Sequence, residues 1–359
     1  MLTVATRPAG PVLPVVDSRQ GIKPRIVAIG GGTGLPTVLR GLRHAANVLG
    51  WKNQTDHVTA VVTVMDDGGS SGQLRRSLGI LPPGDIRNCL SALVRTPSTL
   101  SGILDDRLAG DGTQPGHPIG NLLLAALTTS EGDFLRAVRM LGAQIDISGR
   151  VLPATLENVH LTAAFHDGEA VRGESAITAR GGRIRRLTLE RPVRPLPETI
   201  EAIVNADLIV VGPGSLYTSI VPNLLVDGVA ATLAAVKVPR VYVANLMTEP
   251  GETDGYSLGD HLRALREHTG FDLFDHVLVN RTAIPDQAVQ AYAADGSHLV
   301  SPIDDGLPAG APTIVAADLA TITSSGQIRH DPAKLGLALT ALLDCSGARP
   351  ARGTRHQTF

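Results

Sequence analysis

The sequence is poor in cysteine and aromatic residues, and it has no excess charge of either sign and no long apolar run. Its two cysteines, Cys89 and Cys345, do not provide a disulfide framework. Aromatic residues make up only 3% of the chain, too few for platforms that stack nucleic-acid bases, and the formal net charge is -2. No run approaches the roughly 20 apolar residues of a membrane span. We therefore expect neither a nucleic-acid partner nor a membrane span.

Glycine, by contrast, is abundant and stands directly after predicted strands. The apolar run Arg25–Ile29 leads into Gly30–Gly34, and a helical pattern over Leu35–Leu49 follows. Glycine allows positive φ and a close approach of a ligand, while a helix N-terminus offers unpaired N–H groups. We predict that Gly31, Gly32, Thr33 and Gly34 bind phosphate. The alternative is a tight turn that needs glycine for packing alone.

A second strand, Val58–Met65, ends in two aspartates and a loop rich in glycine and serine. If it neighbours the first strand in a parallel sheet, both loops open at the carboxyl edge, where such sheets bind ligands. Asp66 and Asp67 are suited to Mg²⁺, to ribose hydroxyls or to holding their own turn. Joint chelation requires the loop to turn between them, since neighbouring side chains on a strand point to opposite faces. Ser70 and Ser71 are further candidates for ligand contact.

A third strand, Asp207–Val211, feeds another glycine loop that contains Gly212, Gly214 and Ser215. Ser215 is also a candidate for an ordinary N-cap. Two such loops predict a diphosphate held from both sides by backbone amides, without a lysine. The strand Arg240–Ala244 then leads into a polar loop with four further candidates, which are Asn245, Thr248, Thr253 and Tyr256. Tyr256 is suited to stacking on a base or bonding a sugar hydroxyl, or alternatively to an interface.

Two predicted helix starts carry polar side chains. Asp85, after Pro82-Pro83-Gly84, is expected to be an N-cap, which places Asn88 on the first helical turn. His117 precedes a proline and is therefore held in extended geometry, and Asn121 opens the following helix. Each of these groups is suited either to a ligand or to a local structural role.

The first loop departs from two familiar nucleotide motifs. A dinucleotide fingerprint starting at Gly30 requires glycine where Leu35 stands, and no Gly-Lys-Ser/Thr follows for a Walker loop. An acid about 20 residues further on, expected for ribose, is absent. NAD binding is therefore the weakest of the three ligand hypotheses.

Five motifs together resemble one known family. They are GGGTGL, MDDGGSSGQLRRSLGILPPGDIRNCL, HPIGNLLL, GPGSLYTSIVPNLLV and NLMTEPGETDGYS. They look like the YvcK-type gluconeogenesis factors of the CofD-like superfamily, which is named for 2-phospho-L-lactate transferase. The resemblance runs from about Arg25 to about Leu343. It implies a cytoplasmic protein that binds UDP-sugars such as UDP-N-acetylglucosamine, with Tyr256 in that site. It also implies a role in cell shape and in wall-precursor supply during growth on gluconeogenic carbon sources.

The resemblance and the residue pattern predict one architecture. We expect a Rossmann-like α/β domain over 24–345, with a mostly parallel sheet and helices on both faces. Short alternating runs over about 151–190 predict a small antiparallel β-meander inserted in it, and 1–23 and 346–359 are expected to be disordered tails. Expected partners are a wall-precursor enzyme, a Ser/Thr kinase and further copies of the chain.

Three functions remain open at this stage. The first is a UDP-sugar-binding regulator, which needs no catalytic base. The second is a Mg²⁺-dependent transferase of phosphoryl or nucleotidyl groups, as the superfamily implies, with metal on Asp66 or Asp67. The third is an NAD-binding protein. No nucleophile or general base stands out, and no His/Cys set has zinc spacing, so the catalytic residues are unknown.

Overall fold

The structure is a computed structural model that describes residues 24–51, 57–109, 116–301 and 310–343. The two tails expected at 1–23 and 346–359, and Cys345, lie outside the described residues.

Within the described residues, twelve strands form three sheets. The strands are β1 Ile26–Gly30, β2 Val58–Val62, β3 Arg150–Pro153, β4 Leu161–Phe165, β5 Ala170–Arg172, β6 Ile184–Leu189, β7 Leu208–Val211, β8 Arg240–Val243, β9 His276–Asn280, β10 Thr313–Ala317, β11 Ala320–Ile322 and β12 Ile328–His330. Seven of them make one sheet in the order β10-β9-β8-β7-β1-β2-β3, and all of its pairs are parallel. The predicted Rossmann-like parallel sheet is therefore confirmed.

The first strand lies near the middle of this sheet. Ile26 of β1 is opposite Val58 of β2 on one side and Leu208 of β7 on the other. All three strands are buried throughout, as their continuous β-branched and apolar residues indicate for strands covered on both faces. Their carboxyl ends therefore lie side by side.

Helices surround the sheet and bury an apolar core against it. They are α1 Gly34–Val48, α2 Gly69–Leu78, α3 Gly84–Leu93, α4 Thr99–Gly102, α5 Ile119–Glu131, α6 Phe134–Gln144, α7 Glu174–Arg180, α8 Pro197–Asn205, α9 Val221–Leu224, α10 Val229–Ala235, α11 Leu258–Thr269, α12 Asp286–Ala294 and α13 Pro332–Ala341, with a π-helix at Leu216–Ile220. The side chain of Ser257 caps α11 by accepting the Asp260 N–H.

The first and last helices cross at a pair of glycines. A Cβ on Gly41 would lie 2.9 Å from the Gly336 nitrogen and would overlap the Pro332 carbonyl oxygen. The lack of side chains at Gly41 and Gly336 therefore allows the two backbones to touch, which seats α13 on α1.

The predicted insertion forms a three-stranded antiparallel sheet, but it is not a meander. Its order is β5-β4-β6, so β4 is central and β6 pairs with β4 rather than with β5. A short helix, α7, begins at Glu174, where a strand was expected, and this helix lets the chain cross from β5 to the far side of β4. The first residues of the predicted insertion form β3, the edge strand of the large sheet.

Among the described residues no single helix is long and apolar enough to cross a membrane. The segments Leu216–Leu224 and Val229–Ala235 have such a length and composition only when taken together, and they are bent by 74° relative to each other.

Candidate functional site

The loops after β1, β2 and β7 open side by side at the carboxyl edge of the large sheet. The Thr63 N–H donates to the Gly30 carbonyl (3.0 Å), and the Gly212 N–H donates to the Ile29 carbonyl (3.0 Å). These hydrogen bonds lie just past the ends of β2 and β7 and tie both strands to the end of β1. The three loops therefore begin next to one another. The predicted common edge is therefore present.

The first glycine loop (Gly30–Gly34) touches the second glycine loop (Gly212–Ser215). A Cβ on Gly34 would lie 2.6 Å from the Pro213 carbonyl carbon, and one on Gly214 would lie 3.7 Å from the Gly31 oxygen. Gly32, at φ +58°, and Gly214, at φ +154°, adopt backbone that other residues rarely reach. Here glycine serves close packing between two loops as well as conformational freedom.

Ser219 of the π-helix lies beside both loops. Its side chain would be 3.5 Å from a Cβ on Gly31, 3.2 Å from one on Gly32 and 3.3 Å from one on Gly214. It is buried, so the junction of the two loops is closed on this side.

A carboxylate from a third element reaches the first glycine loop. The Gly32 N–H donates to Asp85 Oδ2 at 2.7 Å. Asp85 was expected to cap α3, and that expectation is wrong: the helix begins at Gly84 with Pro83 at the N-cap position. Burial, together with the charge of Asp66, raises the pKa of Asp85 to about 6 against the opposing effect of the bond from Gly32. One amide expected to bind phosphate is thus already paired with an acid.

Thr33 is the exposed member of the first glycine loop. Its side chain makes no capping bond to α1, and its carbonyl accepts the Thr37 hydroxyl at 3.0 Å. Its hydroxyl therefore has no structural role in the helix start, which leaves it available to a ligand.

A second carboxylate reaches the segment after the second glycine loop. Glu252 Oε1 accepts the N–H groups of Tyr217 (2.6 Å) and Thr218 (3.1 Å) at the start of the π-helix. Burial raises the pKa of Glu252 well above its usual value, and Glu249 adds to this rise. Ser215 makes no side-chain cap. The amides expected to grip phosphate at this second helix start are therefore occupied by Glu252.

Asn245, predicted to contact a ligand, is a clamp on the second glycine loop. Its side-chain oxygen accepts the Gly214 N–H at 3.3 Å, and its Nδ2 donates to the Gly214 carbonyl at 3.0 Å. The two peptide units on either side of the Gly214 Cα are thereby fixed, which holds Gly214 against the first loop.

Thr248 and Thr253 are both buried and serve the 245–256 loop itself. Thr248 Oγ1 accepts the His298 N–H (2.9 Å), and Thr253 Oγ1 accepts the Glu249 N–H (2.8 Å). The structure therefore places these two predicted residues away from the loop surface.

Tyr256 lies at the end of this loop, against the π-helix. Its hydroxyl and that of Tyr217 share a hydrogen bond of 2.9 Å, and its ring packs edge-on against His261 with centroids 5.7 Å apart. A cavity of about 280 Å³ opens beside it, lined by Arg183, Glu252, Asp254, Gly255, Tyr256 and Asp260. Tyr256 therefore borders the π-helix, which follows the second glycine loop in the chain.

Asp66 and Asp67 are held by different partners. Asp66 Oδ1 accepts the Gly68 N–H (2.8 Å), and burial raises its pKa. Asp67 accepts the N–H groups of Glu174 (3.1 Å) and Ser175 (2.9 Å) at the start of α7. Burial alone would raise the pKa of Asp67, but its bonds from Ser175, His160 and Glu174 outweigh burial and lower it. Asp67 thus ties the inserted sheet to the loop between β2 and α2, which we call the β2 loop.

A further acid, Glu174, stands near this pair. Burial raises its pKa to about 7, and the charges of Asp66 and Asp67 add to the rise. Among the described residues, however, no three His, Cys, Asp or Glu side chains are grouped so as to hold a metal ion. The Mg²⁺ site expected at Asp66 and Asp67 remains a prediction.

Three other predicted residues meet at one point. Ser70 Oγ shares a hydrogen bond of 2.8 Å with His117 Nδ1 and accepts one of 3.0 Å from Asn121 Nδ2. Asn88 is separate from them, since its side-chain oxygen accepts from Arg87. The neighbouring Ser71 is buried, and its hydroxyl accepts the Gly84 N–H at 3.1 Å.

The long-range contacts of Asp85 and Glu252 were not predicted from the sequence. The partners of these two residues lie 53 and 35 residues away along the chain. For Glu252, the available signal is its position in the polar loop after β8.

The fold and these loops define a Rossmann-like α/β protein whose glycine loops converge at the carboxyl edge of a parallel sheet. The chain belongs to the family of 2-phospho-L-lactate transferase CofD, whose model matches residues 26–319.

Curated relatives and a solved structure agree with this assignment. The chain is 42% identical over 324 residues to the gluconeogenesis factor of Bacillus subtilis, covering 90% of this chain and 99% of that protein. It is 42% identical over 323 residues to the gluconeogenesis factor of Listeria monocytogenes, covering 89% and 96%. A crystal structure of a UPF0052-family protein from Bacillus halodurans superposes with a TM-score of 0.81 at 39% identity, covering 88% and 99%.

Proposed function

We propose that this chain is a gluconeogenesis factor that binds a UDP-sugar, such as UDP-N-acetylglucosamine, at the carboxyl edge of its sheet. The observation that carries the proposal is the contact between the two glycine loops, beside which Thr33 is exposed. A diphosphate at this junction would meet the Thr33 hydroxyl and the N-terminal N–H groups of α1, rather than the Gly32 N–H, which Asp85 occupies, so it would need no lysine. The uridine or sugar end extends along the π-helix toward Tyr256.

The regulatory part of the proposal follows from the relatives. Proteins 42% identical to the chain are named gluconeogenesis factors. We propose that the ligand reports precursor supply and that the bound form acts in the cytoplasm on a wall-precursor enzyme, with cell shape as the outcome. A Ser/Thr kinase and further copies of the chain are proposed as additional partners.

A second candidate function is a Mg²⁺-dependent transferase. It is favoured by one observation: the charge of Asp66 raises the pKa of Asp85, and the charges of Asp66 and Asp85 both raise the pKa of Glu174. A cation between such carboxylates would relieve their repulsion and bind a ligand phosphate. Binding of NAD is a third candidate, favoured only by the fold.

Calorimetry with UDP-N-acetylglucosamine, UTP and NAD, each with and without Mg²⁺, separates the three. Magnesium-independent UDP-sugar binding without turnover supports the regulator. Turnover abolished by Asp66→Asn supports the transferase, and a preference for NAD over uridine nucleotides supports the third.

The placement of Tyr256 has its own test. Tyr256→Ala should weaken UDP-N-acetylglucosamine binding at least tenfold, about 1.4 kcal/mol, because a stacking surface is lost. Tyr256→Phe keeps the ring and removes the bond to Tyr217, so it should cost less. Unchanged affinity in Tyr256→Ala would place the ligand elsewhere.

A further inference from the structure

A second cavity, of about 360 Å³, lies between α2 and the inserted sheet. Asp67 lines it, whereas Asp66 and the residues of both glycine loops do not. Asp66 instead lies beside Gly84, on the side of Asp85 and the first glycine loop. The β2 loop therefore separates this cavity from the site proposed for the nucleotide.

The lining of this cavity is strongly basic. It consists of Asp67, Arg75, Arg76, Asn158, His160, Arg172, Gly173, Ser175 and Ala176. Three of these residues are arginines and one, Asp67, is an acid, while Glu190, outside the lining, pairs with Arg172. Asp67 already accepts two backbone N–H groups of α7 and lies 3.3 Å from His160 Nδ1. The three arginines therefore exceed these two carboxylates by one positive charge.

Arg75 forms the fixed wall of the cavity. It is buried, its Nε and Nη2 donate to Asn158 Oδ1, Nη2 also donates to the Val159 carbonyl (2.6 Å), and Nη1 contacts the Met65 carbonyl (3.4 Å). All three nitrogens are used within the protein. Arg75 thus supplies charge and rigidity rather than free donors.

Arg76 and Arg172 keep guanidinium N–H donors available at the opening of the cavity. Arg76 donates only through Nη1, to the Asp67 carbonyl (3.2 Å), among the described residues. Arg172 uses Nε (3.1 Å) and Nη2 (2.8 Å) on Glu190, and its Nη1 has no partner in the same part of the chain. Both side chains are exposed, so their remaining N–H groups are open to a ligand.

We propose that this cavity binds the phosphate monoester group of a second small molecule, separate from the nucleotide. Guanidinium groups bind phosphate oxygens in pairs of parallel hydrogen bonds, and the excess positive charge of the lining favours an anion. The volume is that of an ordinary small-molecule site. This site does not depend on the identity of the nucleotide ligand.

The test is a ³¹P NMR titration with inorganic phosphate in a phosphate-free buffer. Wild-type protein should bind phosphate saturably, and Arg76→Gln and Arg172→Gln should each weaken binding at least fivefold. Arg139→Gln is the matched control, because Arg139 is exposed and paired with Glu198 but lies outside the cavity lining. Thermal melting of each variant checks the fold, which exposed arginines should leave unchanged.

Calorimetry with UDP-N-acetylglucosamine distinguishes this site from the nucleotide site. Saturating phosphate and both arginine variants should change the affinity for the UDP-sugar less than twofold. Competition between the two ligands would overturn the proposal by placing the UDP diphosphate in this cavity. Absence of phosphate binding, equal binding by all variants, or tighter binding of malonate than of phosphate would also overturn it.

Discussion

The first and second glycine loops follow parallel strands at one sheet edge, and an acid pairs with backbone N–H groups at each. At the first loop Asp85 accepts a single N–H, and the neighbouring Thr33 is exposed. At the second, Glu252 is buried and accepts two N–H groups of the π-helix.

This difference assigns the loops different roles. Glu252 occupies two N–H groups at the start of the π-helix, so it ties the segment after the second glycine loop to the loop after β8. The carboxylate of Asp85 occupies only one amide, and burial raises its pKa. Under the proposed function, the first glycine loop forms part of the ligand surface, whereas the second supports it.

The largest expected effect is at the contact that joins the loops. Gly34→Ala places a Cβ 2.6 Å from the Pro213 carbonyl carbon, and backbone on both sides cannot yield easily. We expect a loss of about 3 kcal/mol in the free energy of unfolding, measured in urea. Gly102→Ala is the control, since a Cβ there meets nothing within 4 Å. Equal stability of the two variants would show that the loops do not pack tightly.

The contact between Glu252 and the start of the π-helix should depend on an acceptor oxygen rather than on charge. Glu252→Ala leaves the Tyr217 and Thr218 N–H groups buried without a partner, which should cost about 2–3 kcal/mol of unfolding free energy. Glu252→Gln keeps an oxygen in place and should cost less than about 1 kcal/mol. Equal losses in the two variants would show that the charge itself is needed.

The acid at the first loop should control ligand affinity instead. Asp85→Asn removes a negative charge next to Gly32, so UDP-N-acetylglucosamine should bind about tenfold more tightly at pH 7.5, as calorimetry can measure. In the wild type the same gain should appear as pH falls through about 6, where Asp85 becomes protonated, because the UDP-sugar diphosphate keeps its charge in this range. Weaker binding by Asp85→Asn in Mg²⁺ would favour the transferase.

The smallest expected effect concerns one hydroxyl. Thr33→Val keeps the size and branching of the side chain, and Thr33 makes no cap, so stability should change by less than about 0.5 kcal/mol. Affinity for the UDP-sugar should fall about threefold to tenfold through loss of one hydrogen bond to phosphate. Unfolding of this variant would instead assign the loop a packing role alone.

The sequence predicted the local units well and their long-range partners poorly. The run Arg25–Ile29 before the first glycine loop predicts the end of β1 from neighbouring residues alone. The convergence of the glycine loops also followed, because parallel strands share a carboxyl edge.

Asp85 shows why the rest could not be predicted. Its position after two prolines and a glycine indicates a helix cap locally. The first glycine loop, 53 residues away, instead offers an N–H that the carboxylate accepts.

The path of the insertion also depends on a contact that is distant in the sequence. Whether β6 pairs with β4 or β5 depends on α7, whose first residue is bonded to Asp67 over 107 residues.

The central position of β1 has a consequence for synthesis of the chain. Its partner β2 emerges soon after it, but the residues of β7 that complete its other edge follow 182 positions later. At ribosomal speeds of about 5–20 residues per second, that interval is roughly 9 to 36 s. Throughout it the nascent chain carries an apolar strand with one open edge, so chaperone capture and premature pairing compete most strongly before residue 211 is made.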